Sequence, residues 1–223
     1  MRSPPRWRAA AERCSEPRSR PWAGWPEADV VPAYEERRFA SAAEWRAWLE
    51  EHHDSVDGIR IILAKKGAPQ PSVTHAEAID EALCFGWIDG IRNRRDEESF
   101  FQTFTPRRAR SMWSQVNIGH VERLTGAGRM HEAGQREIDR AKADGRWNAA
   151  YAPPSRIEVP NDLAAALAAD PAAQAAFAGL DSQNRFAILF RLHQAKRPET
   201  RARRIEQFVA MLAAGDTLYP RKS

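Results

Sequence analysis

The apolar residues of the chain change their spacing at Pro153-Pro154. Before this pair, stretches with a helical period alternate with stretches in which apolar residues recur at every second position. After it, only the helical period is found. A period of 2 sends alternate side chains to the two faces of a strand, and a period of 3.6 lines them along one stripe of a helix. The two sides of the joint therefore build different kinds of core. The expected fold class is α+β: a small antiparallel sheet packed by helices, followed by a C-terminal all-helical segment. The expected organisation is a disordered leader over 1–38, an α+β domain over 39–154 and a helical segment over 155–223. The leader reading rests on residues 1–32, rich in Arg, Pro, Ser and Ala and without a sustained period. Trp7, Trp22 and Trp25 are unusual in such a stretch.

Local signals place the elements. Ser41-Ala-Ala-Glu44 and Thr74-His-Ala-Glu77 have the form of capping boxes, in which a hydroxyl accepts the N3 amide and a glutamate reaches back. After the first, Trp45, Trp48, Leu49 and His52 share a helical face. After the second, Ile79, Ala82 and Leu83 form the buried stripe, with Glu77, Asp80 and Glu81 pointing outward. Gly58–Lys66 reads as a strand with Ile59, Ile61 and Leu63 on one side. In "CFGWIDGIRN", residues 84–93, a strand reading puts Phe85, Trp87 and Asp89 on one face. Cys84, Gly86, Ile88 and Gly90 take the other, a small flat face that suits the close approach of a helix. "RRDEES" is a charged loop and "FFQTFT" the return strand of a hairpin. Ser111 can cap a helix from Met112 to about Thr125, placing Trp113, Asn117, Val121 and Leu124 on one face. Asn117 there either fastens a neighbouring loop or faces a cleft. "GAGRMHEAG" reads as a loop, and Gln135–Ala143 as a short helix ended at Asp144-Gly145.

Past the joint, four helices are expected. Asn161 caps the first and Asp170, followed by Pro171, caps the second. Ser182 opens the third, with Phe186, Leu189, Phe190 and His193 on one face. Pro198 starts the fourth, with Ile205, Phe208, Val209 and Leu212 buried, and Gly215 ends it. Arg201, Arg203 and Arg204 crowd its first turns, where the helix dipole disfavours cations, so they are expected to meet acidic neighbours or a bound anion.

Composition narrows the function classes. The net charge of +4 sits at the two ends of the chain, because residues 39–154 carry 16 basic and 17 acidic side chains. That distribution lacks the clustered basic face of a nucleic-acid domain, so nucleic acid is not expected as a partner. No apolar run approaches the roughly 18 residues of a membrane span, and no membrane insertion is expected. Cys14 and Cys84 are read as unpaired thiols, which fits a cytoplasmic protein. No CxxC or Cys/His cluster is present, so no metal is predicted, and no cofactor is implied. Cys84 reads as a packed structural cysteine, since it follows Leu83 into a strand face of small residues and His75 lies at the far end of the preceding helix. Asp89 shares a face with Phe85 and Trp87, so it either pairs with Arg92 or Arg107 or titrates high.

Five stretches in order, "EALCFGWIDG", "TPRRARSMWSQVN", "AGRM", "DGRWNAAY" and "AKRPETRARRIEQFVAML", resemble the YdeI/OmpD-associated family, also called bacteriocin-protection proteins. The resemblance spans roughly Phe39–Gly215. It implies a bacterial protein of stress tolerance, with a small α+β fold followed by the OmpD-associated helices, and it carries over no catalytic residue. The expected function is therefore bacteriocin-protection-like, by binding rather than catalysis, to an unknown protein or a small anionic ligand. The alternative is an anion- or phosphometabolite-binding protein, or an enzyme, with a groove between "GWIDG" and "TPRRARSMWSQVN". Its candidate residues are Trp87, Asp89, Arg107, Arg108, Ser111, Trp113 and Asn117, with the arginines set before a helix N-terminus where phosphate oxygens bind well. No catalytic residue is assigned.

Overall fold

The computed structural model describes residues 34–220, so the expectations for Trp7, Cys14, Trp22 and Trp25 lie outside the described residues. The described chain forms two compact units, divided between Glu158 and Val159.

The first unit contains β1 (Glu35–Arg37), α1 (Ala42–His52), β2 (Ile59–Ala64), α2 (His75–Cys84), β3 (Trp87–Arg94), β4 (Ser99–Pro106), α3 (Gln115–Gly126) and α4 (Glu132–Ala143). The sheet order is β1-β2-β4-β3. β4 pairs antiparallel with both β2 and β3, as the hairpin pattern requires, while β1 adds a parallel edge strand to β2. All three residues of β1 are exposed, so it carries no apolar alternation that a sequence reading could detect.

Alternation in β2 works as expected: Ile59, Ile61 and Leu63 are buried and the residues between them half-buried. They meet Phe100 and Phe104 of β4 and the apolar stripe of α1. Trp45 and Trp48 stack with ring centroids 5.3 Å apart, and Trp87 stands edge-on to both. The buried indole N–H groups are satisfied here, Trp45 donating to Ala78 O (3.1 Å) and Trp87 to His53 O (3.0 Å). In the hairpin loop the Asp96 carboxylate accepts from the Glu98 and Ser99 amides, which turns the chain back into β4.

Four local readings are corrected. Cys84 ends α2 instead of opening a strand, because Gly86 takes φ +75° and the chain changes direction there. Glu81 does not point outward: it is 3% exposed and held by Arg46 (3.0 Å) and Arg129. The "GAGRMHEAG" loop contains the first turn of α4, capped by His131. A glycine inside a helix lowers its propensity by about 1 kcal/mol, which hides this start from a sequence reading. Packing explains Gly134, since a Cβ there would overlap the Cys84 carbonyl oxygen and lie 2.7 Å from its carbon. Finally, α3 is capped by Ser114 and not by Ser111. Trp113 O accepts from Tyr151 N–H and Tyr151 O from Gln115 N–H, so this distant pairing holds the chain extended until Ser114.

The second unit is helical throughout: α5 (Asn161–Ala168), α6 (Pro171–Ala178), α7 (Ser182–Gln194) and α8 (Pro198–Ala213). Asp170 caps α6 ahead of Pro171 as expected, whereas α5 starts after Pro160 and α7 is capped by Asp181. The core side of α7 is Ile188, Leu189 and Leu192, and Phe186 and Phe190 are half-buried beside it. Ile205, Phe208 and Leu212 of α8 are buried as read, while Val209 is half-buried. Arg201 meets the acid its position calls for, pairing with both oxygens of Asp162 (2.5 and 2.9 Å). No helix among the described residues is long and apolar enough to cross a membrane.

Candidate functional site

The site lies in the first unit, where β4 ends. Trp87 pairs with Pro106 at the open end of the β3–β4 ladder, and the next residue, Arg107, donates its amide to Gly86 O at 3.0 Å. Its side chain turns inward and is 5% exposed. The guanidinium carbon sits 3.7 Å from the Trp113 ring centroid, and Nη1 donates to Met112 O at 3.3 Å. Nε and Nη2 are buried with no partner.

Three other side chains at this place are in the same condition. The buried Trp113 indole N–H has no acceptor, unlike those of Trp45 and Trp87. Arg146 donates from Nε to Asp144 (2.7 Å) and from Nη1 to Ser111 O (2.9 Å), but its buried Nη2 is free. Glu137 Oε1 pairs with Arg140 Nη1 (2.8 Å), and Oε2 is buried and unpaired. Among the described residues, five of the seven buried side-chain polar atoms without a partner belong to these four residues. Such groups are scarce in folded proteins, and five in one neighbourhood call for an explanation.

Backbone geometry shows why they meet. Arg107 and Arg146 grip the carbonyls of consecutive residues, Met112 and Ser111. Glu137 crowds Gly86, the residue whose carbonyl takes the Arg107 amide: a Cβ there would lie 3.0 Å from Glu137 Cγ. Trp147 lies against Trp113 with centroids 4.9 Å apart. Of the two glycines in "CFGWIDG", Gly86 admits α4, which brings Glu137 with it, while Gly90 is exposed and lies against Thr103 of β4. Burial pushes the Arg107 guanidinium down to about 10, against the opposing pull of Asp89, Tyr151 and Glu137. The Tyr151 hydroxyl is pushed up by burial, with Ser114 pulling the other way.

The structure brings Arg107 and Trp113 into contact and sets Asp89, half-buried on β3, within electrostatic reach of Arg107. Ser111 contributes its carbonyl, while its hydroxyl accepts the Arg108 amide (3.0 Å). Trp87 belongs to the core at 1% exposure, and Arg108 is exposed. Asn117 is half-buried and gives its amide to the Ser114 cap. The first amides of α3 are therefore engaged within the protein, at Tyr151 O and Ser114 Oγ. Glu137, Arg146 and Tyr151 escaped the sequence reading. The one signal for Arg146 and Tyr151 was "DGRWNAAY", which repeats the nearness of Arg and Trp seen in "RARSMW", and Glu137 had none.

Cys84 is buried in α2, and burial pushes its thiol up, with Glu81 adding to the effect. Among the described residues no group of three or more His, Cys, Asp or Glu side chains is placed to hold a metal ion.

Residues 156–215 match the family described as Bacteriocin-protection, YdeI or OmpD-Associated. That match covers helices α5 to α8. A second family, described as Domain of unknown function (DUF8412), matches residues 37–137. The chain matches no curated protein and no solved structure. Arg107, Trp113 and Glu137 fall inside the DUF8412 match, Arg146 and Tyr151 between the two matches, and no residue of the site within the YdeI/OmpD-associated segment.

Proposed function

We propose that this protein acts by binding, and that its N-terminal unit holds a small ligand through an acidic group at Arg107. The observation that carries this reading is the buried guanidinium with Nε and Nη2 unpaired beside two further unpaired donors, Trp113 Nε1 and Arg146 Nη2. A buried donor left without an acceptor costs about 1–3 kcal/mol. A carboxylate or phosphate offers several acceptor positions at once, and two N–H groups of one guanidinium match its oxygens in a fork. The Trp113 ring fixes the plane of that fork. These atoms are shut off from solvent, so a ligand reaches them by displacing a neighbour. Arg146 and Trp147 are half-buried on the irregular segment after α4. The bacteriocin-protection name of the matched C-terminal family supplies the biological setting we attach to this binding, tolerance of antibacterial peptides in a bacterial cell.

Thermal shift and calorimetry with acetate, sulfate and phosphate test the reading on wild type, Arg107→Lys and Arg107→Gln. Binding by wild type is expected to weaken about tenfold in the Lys variant and to vanish in the Gln variant. A wild type that binds none of the three anions overturns it. So does binding that ignores Arg107 and responds to Lys65→Ala or Arg92→Ala. Those residues line a separate cleft of about 550 Å³ with Lys66, His75 and Phe100, a basic place where an anion could collect.

A further inference from the structure

We infer that the ligand held at Arg107 is zwitterionic, a small amino-acid-like molecule with one carboxylate and one ammonium group. This rests on the binding reading above and adds the ligand's second pole. The cluster contains an unmet acceptor as well as unmet donors: Glu137 Oε2 is buried without a partner, and Glu137 acts electrostatically on Arg107, whose Nε and Nη2 are unmet like Arg146 Nη2 and Trp113 Nε1. A simple anion would satisfy the donors and leave Oε2 stranded. It would also face a second carboxylate, because Asp89 acts electrostatically on Arg107.

Charge balance points the same way. Glu137 is paired with Arg140 and Arg146 with Asp144, which leaves Arg107 set against Asp89. The cluster is already neutral. A buried monoanion would leave it with an uncompensated negative charge, which is costly in a low-dielectric setting. A zwitterion leaves the total unchanged. Its carboxylate fits Arg107 Nε and Nη2 with the Trp113 N–H, and its ammonium supplies the three donors that Glu137 Oε2 and Asp89 accept.

Matched pairs of ligands separate the two poles. Alanine and propionate, and glycine and acetate, are titrated into the full chain by calorimetry, with the Trp113 indole N–H resonance followed by NMR and assigned through Trp113→Phe. Wild type is expected to bind alanine at least tenfold tighter than propionate, with a downfield shift of the Trp113 indole proton. Glu137→Gln keeps the shape of the side chain and removes its charge, and is expected to erase the preference by weakening alanine and tightening propionate. Arg107→Gln is expected to lose both ligands. Equal affinity for alanine and propionate in wild type overturns the zwitterion while leaving the acidic-group reading intact, as does a preference that survives Glu137→Gln. Failure of a folded wild type to bind any of these carboxylates overturns the zwitterion, and failure to bind sulfate and phosphate as well overturns the acidic-group reading.

Discussion

Among its described residues the first unit buries two charged side chains, Glu81 and Arg107, and treats them in opposite ways. Glu81 is enclosed between α1, α2 and the turn before α4, where Arg46 and Arg129 each engage one of its oxygens. Arg46 further donates to Arg129 O, so the group forms a closed set of bonds. Arg107 is buried to a similar degree, yet one main-chain carbonyl is its only acceptor among the described residues. A buried ion with all its bonds made fastens elements together, whereas one with bonds left over has capacity for something else. The contrast separates a structural charge from a candidate binding charge without reference to the name of any family.

The strongest way to break the comparison is to damage what both regions share. Helix α4 rests on α2 at Gly134 and presents Glu137 toward Arg107. Gly134→Ala drives a methyl group into the Cys84 backbone, which cannot give way as a flexible side chain would. The expected cost is about 3 kcal/mol or more, read as a lower urea midpoint and accompanied by loss of ligand binding.

Substituting the two buried charges sharpens it. Glu81→Ala removes the acceptor from two guanidiniums and is expected to cost about 2–4 kcal/mol, towards the lower end because Arg46 and Arg129 are partly exposed and can rehydrate. Arg107→Met replaces a half-satisfied ion by an apolar chain of similar length and is expected to change stability by less than about 1 kcal/mol in either direction. Urea denaturation of both variants checks the contrast. An Arg107→Met variant destabilised as much as Glu81→Ala would mean that Arg107 is a structural ion like its counterpart.

The smallest effect concerns pH. Asp80 joins α2 to α3 through Arg123 (2.7 Å) and His120 (2.8 Å). Burial works to raise its carboxyl, but these partners outweigh burial and hold it below the ordinary range. A carboxyl with a depressed folded pKa stabilises above its unfolded value of about 4, and the contribution disappears as pH falls through the folded value. Between pH 7 and pH 3 the wild type is expected to lose slightly more Tm than Asp80→Asn. Parallel curves for the two proteins would show that the link is screened out by solvent.

Much of the architecture was legible in the chain itself. The Ser41 and Thr74 caps, the β2 alternation, the β3–β4 hairpin and the Asp170-Pro171 start all appear as read, because each depends on residues within a few positions of one another. The misreadings have one physical origin. Ser111 and Ser114 both suit a helix cap, and the choice between them is made by Tyr151, far along the chain. Gly134 looks like a helix breaker until the Cys84 carbonyl is placed against it.

The candidate site divides along the same line. The sequence by itself determined the α+β order, the all-helical end and the nearness of Arg107 to Trp113, since periodicity and short-range spacing act locally. Only the tertiary structure decided that Trp87 belongs to the core, that Glu81 is sealed, and that Glu137 and Arg146 join Arg107. Whether a buried polar atom finds a partner depends on which distant segments fold over it, and no local pattern in the chain carries that information.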